Sequence, residues 1–278
     1  MSFIDGLRGH LGNYKRQQLG VQENGVVLHR GKERPKQHVL PHAQRQLNIL
    51  EPYRTSFFAS SHAGMHFHRY FHHLNSSQAM CINLFYPLIA EEKLNMLLGF
   101  LGIKPESGWT PEFEKQSSVE TAGRRTSFDF HLGHPEAGDI YFDVKYSEVD
   151  FGKGRNDEEH RKKFQATYRP LLESSIYLRE CCRDEAFFLG KYQLLRNLVH
   201  LSEHALVVLL VPAANRDIAM RAREAWHQFL TDAGREKLVI VYLEDLLDGL
   251  EEAAKGDPLA AYYTQFRNKY LPGKTTRP

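Results

Sequence analysis

Apolar and polar side chains alternate residue by residue at 126–133 and again at 139–146. Successive side chains of a strand point to its two opposite faces, so this spacing predicts two half-buried strands. The connection at 134–138 is short and contains Pro and Gly, which favours a hairpin. We therefore expect the two strands to be antiparallel neighbours in one sheet.

The same alternation assigns side chains to faces. On the first strand, Phe128 and Phe130 are expected on one face and Asp129 on the other. On the second strand, Asp143 and Lys145 are two residues apart and must share a face. The pattern thus predicts acidic and basic groups side by side on a segment that is otherwise apolar.

Longer apolar spacings predict the remaining elements. Continuous apolar runs at 205–213 and 237–243 are typical of strands covered on both sides. The other elements expected are a helix at 75–102 bent at Pro87, a weak strand at 111–118, and helices at 157–180, 184–200, 215–230, 244–256 and 258–270. This order predicts an α/β fold with a mixed central sheet and helices on both faces.

Residues 1–60 differ from the rest of the chain because they are polar and have no sustained periodicity. Residues 1–54 contain nine Lys or Arg against four acids. We interpret 1–60 as an irregular, basic arm or cap, and 61–278 as the main domain. Such an arm suits a phosphate backbone, and a solvated basic terminus is an equally good interpretation.

Length, net charge and cysteine content exclude few classes of protein. The chain has 278 residues, a net charge of +2 and three cysteines, of which two are adjacent. An odd cysteine count is a poor disulfide framework and suits a reducing cytoplasm, where we expect the protein to reside. No signal peptide and no membrane span are expected, because the longest apolar run is too short to cross a bilayer.

Acid-x-Lys triplets carry little information alone, and the chain has two of them. Glu91 and Lys93 lie in the predicted helix, where residues two apart diverge around the axis. Asp143 and Lys145 lie on a predicted strand and share a face, with Asp129 expected on the neighbouring strand. Context therefore favours the second triplet as a site.

Two close carboxylates repel each other unless a cation joins them, and oxygen ligands of this kind suit Mg²⁺ or Mn²⁺. Lys145 beside them would interact with a phosphate oxygen or an attacking water. The alternative is an ordinary Asp–Lys pair on a half-exposed sheet. Spacing alone does not decide between the two.

Three segments carry a resemblance to a known family: "HLNSSQAMCINLFYPL", "FDVKYSEVDFG" and "YQLLRN". In this order, with "SFDF" on the preceding strand, they resemble the PD-(D/E)xK nuclease superfamily, and within it a bacterial branch of restriction-endonuclease-like proteins. The resemblance spans about residues 62–213. It implies a restriction-endonuclease-like core with the order αβββαβ and a Mg²⁺- or Mn²⁺-dependent nuclease that acts on nucleic acid, with DNA as the expected substrate.

The resemblance also implies roles for particular residues. Asp129 and Asp143 match the two motif acids and Lys145 the motif lysine, so these three are the expected catalytic residues. Asp129, Asp143 and the backbone carbonyl of Val144 are the expected metal ligands. Gln193 resembles a glutamine that some branches place near the active site.

The first helix departs from the family pattern, since many relatives carry a glutamate there that faces the metal. Gln78 and Asn83 occupy its inner positions, and Glu91 and Glu92 come later. Glu114 or Glu120 is a further source of the missing carboxylate. Gln78, Glu120 and Gln193 are therefore provisional active-site residues, and the number of metals stays open.

Two other classes of function compete with this interpretation. Five histidines between His62 and His73 could mark zinc, but no CxxC or HExxH pattern accompanies them. A catalytically inactive nucleic-acid-binding module on the same fold is the stronger rival. The sequence leaves open DNA versus RNA, endo- versus exonuclease action and whether the chain forms a homodimer, and it predicts no membrane partner.

Overall fold

The computed structural model describes residues 2–29, 31–120, 125–271 and 273. The chain forms two compact units, each built from more than one segment. The first unit comprises Met1–Ser107, Ala213–Asn215 and Leu243–Pro278, and the second comprises Gly108–Pro212 and Arg216–Tyr242. The arm assigned to residues 1–60 stays a prediction.

The elements follow one another in this order: α1 (Phe3–Gln17), β1 (Gly25–His29), β2 (Lys32–Lys36), α2 (Glu51–Ala59), α3 (Ser77–Ala90), α4 (Leu94–Phe100), β3 (Thr110–Gln116), β4 (Ser127–His134), β5 (Gly138–Val144), α5 (Glu158–Lys163), α6 (Arg169–Ser174), α7 (Glu185–Gly190), α8 (Tyr192–Leu198), β6 (Ala205–Val211), α9 (Arg216–Gln228), α10 (Asp232–Arg235), β7 (Leu238–Tyr242), α11 (Leu243–Ala253) and α12 (Pro258–Tyr270). Among the described residues, no helix combines the length and apolar character needed to cross a membrane.

The start of the chain is regular, which corrects the expectation of an irregular segment. Helix α1 begins at a cap in which the Ser2 hydroxyl accepts a hydrogen bond from the Asp5 N–H. Leu7 and Leu11, one turn apart on α1, are buried. This spacing is a helix signal that the polar composition of the segment obscured.

The predicted bent helix is instead two helices. Pro87 lies inside α3 without ending it, and the helix stops at Ala90. Glu92 then adopts φ 55, a left-handed conformation that no helix can continue through. Helix α4 follows at Leu94. The break comes from the backbone of Glu92 rather than from the proline.

The second unit is organised around a sheet whose strand order, within the described residues, is β3-β4-β5-β6-β7. Strands β3, β4 and β5 are antiparallel neighbours, and β6 and β7 extend the sheet in parallel. The predicted hairpin and the central apolar strand are thereby confirmed. The fold class is confirmed as well: a mixed sheet flanked by helices, consistent with a restriction-endonuclease-like core.

One face of this sheet packs against helices of the second unit. Val207 and Leu209 of β6 share a buried cluster with Leu194 of α8 and Ala222 of α9. Asp143 pairs in register with Leu209, so its side chain projects toward the same face. A carboxylate thus lies at the margin of an apolar core, where burial costs it hydration.

Candidate active site

Asp143 and Lys145 stand at the end of β5. The Lys145 ammonium pairs with one oxygen of Asp143, Oδ1. Asp143 is 2 % exposed, and its second oxygen, Oδ2, is buried and has no hydrogen-bond partner among the described residues. A buried carboxylate oxygen without a donor is costly, so this atom is a place where a cation would bind.

Lys145 is held in its charged form. Burial acts to lower the pKa of Lys145, but the carboxylates of Asp143, Asp129 and Glu148 outweigh it and hold this pKa above its ordinary value. The ammonium also lies 5.9 Å from the centre of the Phe151 ring. A fixed positive charge therefore accompanies Asp143 at every physiological pH.

Asp129 reaches β5 through its side chain. Its Oδ2 accepts a hydrogen bond of 2.7 Å from the Val144 N–H, between Asp143 and Lys145 in sequence. Burial raises the pKa of Asp129 to about 8; the charges of Asp143 and Glu114 act in the same direction, and the charge of Lys145 opposes them. Asp129, Asp143 and Lys145 therefore lie within electrostatic reach of one another.

The alternation of β4 is broken at Asp129, which corrects the expected face of Phe128. The Phe130 ring contacts the Phe142 ring, whereas the Phe128 ring contacts Tyr141. Tyr141 and Phe142 are consecutive on β5 and point to opposite faces. Phe128 and Phe130 therefore lie on opposite faces of the sheet. At this irregularity the Val144 N–H donates its hydrogen bond to the Asp129 side chain and not to the backbone of β4.

The neighbouring strand is irregular at the same level. Glu114 lies between the register pairs Phe113↔Phe130 and Lys115↔Phe128 and therefore faces Asp129. Its φ is 55, which is uncommon for a residue with a side chain and tends to persist where the surroundings enforce it. The Ser127 hydroxyl donates a hydrogen bond to Glu114. Glu114, Asp129 and Asp143 thus form a row of carboxylates across β3, β4 and β5, defined here as the carboxylate row.

Glu120 has a different environment from the carboxylate row. Its carboxylate accepts hydrogen bonds from the Thr126 N–H at 2.9 Å and from Arg196 at 3.1 Å, and Lys163 lies 3.3 Å away. Burial acts to raise the pKa of Glu120, but the hydrogen bonds from Arg196 and Thr126 outweigh it, and the pKa falls to about 2. Of the two alternatives for the missing carboxylate, Glu114 is the one beside Asp129. The active-site role of Glu120 stays a prediction.

Gln193 lies beside the loop that follows Lys145. Its backbone N–H donates to the Gly152 carbonyl, and its side chain lies next to Gly152. Phe151, the neighbour of Gly152, is the residue whose ring approaches Lys145. This loop therefore links Gln193 of α8 to the lysine, and an active-site role for Gln193 stays a prediction.

Glu148 is a residue of this region that sequence reasoning did not single out. Its charge supports the charged form of Lys145, and its side chain accepts a hydrogen bond of 2.6 Å from the Tyr146 N–H. It belongs to the segment "FDVKYSEVDFG". Its position three residues after Lys145 is the sequence signal that could have identified it as a residue of this region.

The residues of the first helix serve other contacts in the first unit. The Gln78 side chain accepts from the His68 N–H and donates to the His66 carbonyl, which orders the histidine-rich loop. The Asn83 side chain accepts from the Leu50 N–H and donates to the Asn48 carbonyl. The provisional role of Gln78 stays a prediction.

The donors of the carboxylate row suit a hard divalent cation. The ligand atoms are oxygens, which Mg²⁺ and Mn²⁺ prefer. One of these oxygens, Asp143 Oδ2, receives no hydrogen bond from the described residues. Among residues 2–29, 31–120, 125–271 and 273, no group of three or more His, Cys, Asp or Glu side chains is close enough to hold a metal. A cation would therefore rely on two carboxylates together with backbone oxygen and water, which is the usual way in which Mg²⁺ is bound.

The comparisons with known proteins agree with this class of fold. The mixed sheet flanked by helices is consistent with a restriction-endonuclease-like α/β core. The family model REase-ARP, described as "Restriction Endonuclease associating with ARP", matches residues 8–271, and the chain belongs to that family. No curated protein and no solved structure matches the chain.

Proposed function

We propose that this chain is a PD-(D/E)xK nuclease that hydrolyses phosphodiester bonds in DNA and depends on Mg²⁺ or Mn²⁺. One observation carries the proposal: the buried Oδ2 of Asp143, without a partner, beside Asp129 and a permanently charged Lys145. An ordinary surface ion pair would leave no such atom. Membership of a restriction-endonuclease-associated family supports a nuclease and a nucleic-acid partner.

Each residue has a distinct task in this proposal. Asp129 and Asp143 would hold the cation, together with the Val144 carbonyl. When bound, the cation supplies a Lewis acid and lowers the pKa of a bound water. Lys145 offsets the negative charge that develops on the phosphate, and its place is fixed by Asp143 before substrate arrives. Glu114 adds negative charge beside Asp129 and strengthens the attraction for a cation.

A non-catalytic binding module is the second candidate, favoured by the absence of a third side-chain ligand among the described residues. Metal-dependent thermal stabilisation separates metal binding from catalysis, because a ligand of the folded state must raise its stability. Binding of Mn²⁺ without cleavage would support the module.

The deciding experiment is digestion of circular and linear DNA and of RNA, with Mg²⁺, Mn²⁺ or EDTA. We expect metal-dependent cleavage of DNA by the parent chain and none by Asp143→Asn. Equal cleavage by both chains would contradict the catalytic role proposed for Asp143. No cleavage of any substrate with any divalent metal would overturn the proposal. Cutting of the circular substrate would also distinguish endonuclease from exonuclease action.

A further inference from the structure

Strands β1 and β2 form a two-stranded ribbon with chemically different faces. In their antiparallel register, Arg34 pairs with Val27 and Lys36 with Gly25. Side chains alternate along β2, so Lys32, Arg34 and Lys36 share one face of the ribbon. We call these three residues the cationic face.

The cationic face is open to solvent. All residues of β2 are exposed, and within the described part of the chain Lys32, Arg34 and Lys36 make no ion pair. The opposite face carries Leu28, which is 66 % exposed, and Val26, which is 43 % exposed. The ribbon therefore adds little to the core of the first unit. A two-stranded ribbon is marginally stable alone, so these exposed side chains point to a partner.

The β2 edge of the ribbon does not suit addition of another strand. Pro35 lacks an N–H, and Arg34 and Lys36 flank it on β2. Proline and lysine on an edge strand oppose pairing with a further chain. The cationic face, whose three cations make no ion pair within the part of the chain that the structure describes, complements a polyanion.

We infer that the cationic face binds duplex DNA across its major groove. Lys36 lies four residues along β2 from Lys32, a span of about 13 Å at about 3.3 Å per residue. The major groove of B-DNA is about 12 Å wide and admits a two-stranded ribbon. Lys32 and Lys36 would reach the phosphates on the two sides of the groove, with Arg34 facing its floor.

This inference rests on the proposed function, since it names the form of nucleic acid that the nuclease would bind. The minor groove of B-DNA, about 6 Å wide, is too narrow for the ribbon. The major groove of A-form RNA is deep and narrow, and side chains cannot read it. The dimensions therefore select duplex DNA over duplex RNA.

The test uses the full chain carrying Asp143→Asn, in EDTA, so that binding is measured without cleavage. The variant adds Lys32→Gln and Lys36→Gln. Its control adds Lys104→Gln and Lys255→Gln, which remove the same charge from exposed lysines that already pair with Glu106 and Glu252. Fluorescence anisotropy over a salt series gives the slope of log Kobs against log salt for duplex DNA, single-stranded DNA and duplex RNA.

Each lost phosphate contact on B-DNA reduces the slope by about 0.9, so we expect the ribbon variant to lose about 1.8 on duplex DNA. We expect the control to match the parent, and the ribbon variant to match the parent on duplex RNA. Equal slopes for ribbon variant and control on duplex DNA would overturn the inference and leave the nuclease proposal intact. An equal loss on duplex RNA would overturn the assignment to the major groove of DNA.

The face of the ribbon that carries Val26 and Leu28 offers an alternative to DNA binding, namely self-association. If the ribbon joined two copies of the chain instead, Leu28→Ser would lower the molar mass measured by light scattering without DNA. That result, together with an unchanged salt slope, would assign the ribbon to self-association and contradict DNA binding. We expect Leu28→Ser to leave the molar mass unchanged.

Discussion

Two acidic regions of the second unit differ in how the charge of a carboxylate removed from water is compensated. Glu120 is surrounded by donors, including Arg196 and Thr126, and its pKa falls to about 2. In the carboxylate row, burial raises the pKa of Asp129 to about 8, and Asp143 keeps an oxygen without a partner. Glu120 and Asp143 are both buried, and each lies beside a cation.

The difference teaches that burial alone does not identify a functional acid. Glu120 has its charge fully compensated, which is the arrangement of a structural ion pair. The carboxylate row has more negative charge than its single lysine offsets, and this excess is what a divalent cation would neutralise. Functional sites are where perturbed pKa values of this kind concentrate.

The largest expected effect is that of Asp143→Asn, which removes the negative charge of the carboxylate that contains Oδ2. We expect the rate of DNA cleavage to fall by more than about 10³, beyond the loss of a single transition-state donor. The stabilisation of the fold by Mn²⁺ should disappear with it, measured by thermal denaturation. Asp139→Asn makes the same change on the same strand and should retain both properties.

Lys145→Ala is expected to lower the cleavage rate by about 10²–10³, because a preorganised positive group at the phosphate is lost. Metal should still bind, and more tightly, since the Asp143 oxygen that pairs with Lys145 is released. Calorimetric titration with Mn²⁺ gives the affinity. The control is Lys93→Ala, from the other acid-x-Lys triplet, which the structure places between α3 and α4 rather than inside one helix. Full activity of Lys145→Ala would contradict the nuclease assignment.

Glu120→Gln should act on stability rather than on catalysis. Breaking a buried ion pair leaves Arg196 uncompensated and costs about 3–5 kcal/mol. We expect urea denaturation to report this loss, while the cleavage rate per folded molecule stays near that of the parent. A rate loss comparable with that of Asp143→Asn, in a chain that remains folded, would instead place Glu120 in the active site.

The two regions should also respond to pH with opposite signs when no metal is present. The folded pKa of Glu120, about 2, lies below the ordinary value of 4.5, so its contribution to the free energy of unfolding is present above pH 4.5 and declines as pH falls toward 2. The folded pKa of Asp129, about 8, lies above 3.8, so its contribution is present in acid and declines as pH rises from 4 toward 8. Urea denaturation in EDTA across this range, with Glu120→Gln and Asp129→Asn for comparison, checks both slopes.

The smallest expected effect is that of Glu114→Gln. This residue raises the pKa of Asp129 through its charge, so its loss should lower that pKa and weaken Mn²⁺ binding by about tenfold, as for residues behind the direct ligands of a metal. Glu112→Gln, on the same strand and paired with Lys115, is the control. An equal effect of the two changes would mean that Glu114 acts only as a distant charge.

The strands of the second unit could be predicted from sequence because local alternation and apolar runs fix them. The hairpin of β4 and β5 and the central strand β6 were found this way. The face of Phe128 could not be predicted, because alternation assumes a regular strand and β4 is irregular at Asp129. The difference between the environments of Glu114 and Glu120 was also out of reach, since that of Glu120 depends on Arg196, distant in sequence.

Helix α1 shows a different kind of failure. Its Ser2 cap and the spacing of Leu7 and Leu11 were legible in the sequence, but a polar composition outweighed them. Composition describes how much of a segment is polar, whereas spacing describes where the apolar residues lie. For a helix at the surface of a core, the spacing is the better guide.

The mixed direction of the sheet has a consequence for the order of folding. Strands β3, β4 and β5 are close in sequence, whereas β6 pairs with β5 only after the chain has closed a loop from Val144 to Ala205. Long closures of this kind are slow, so we expect the acids to come together on the three-stranded meander first. The buried environment that raises the pKa of Asp129 would form only when β6 docks. The acids of a nascent chain would therefore keep ordinary pKa values until that late step.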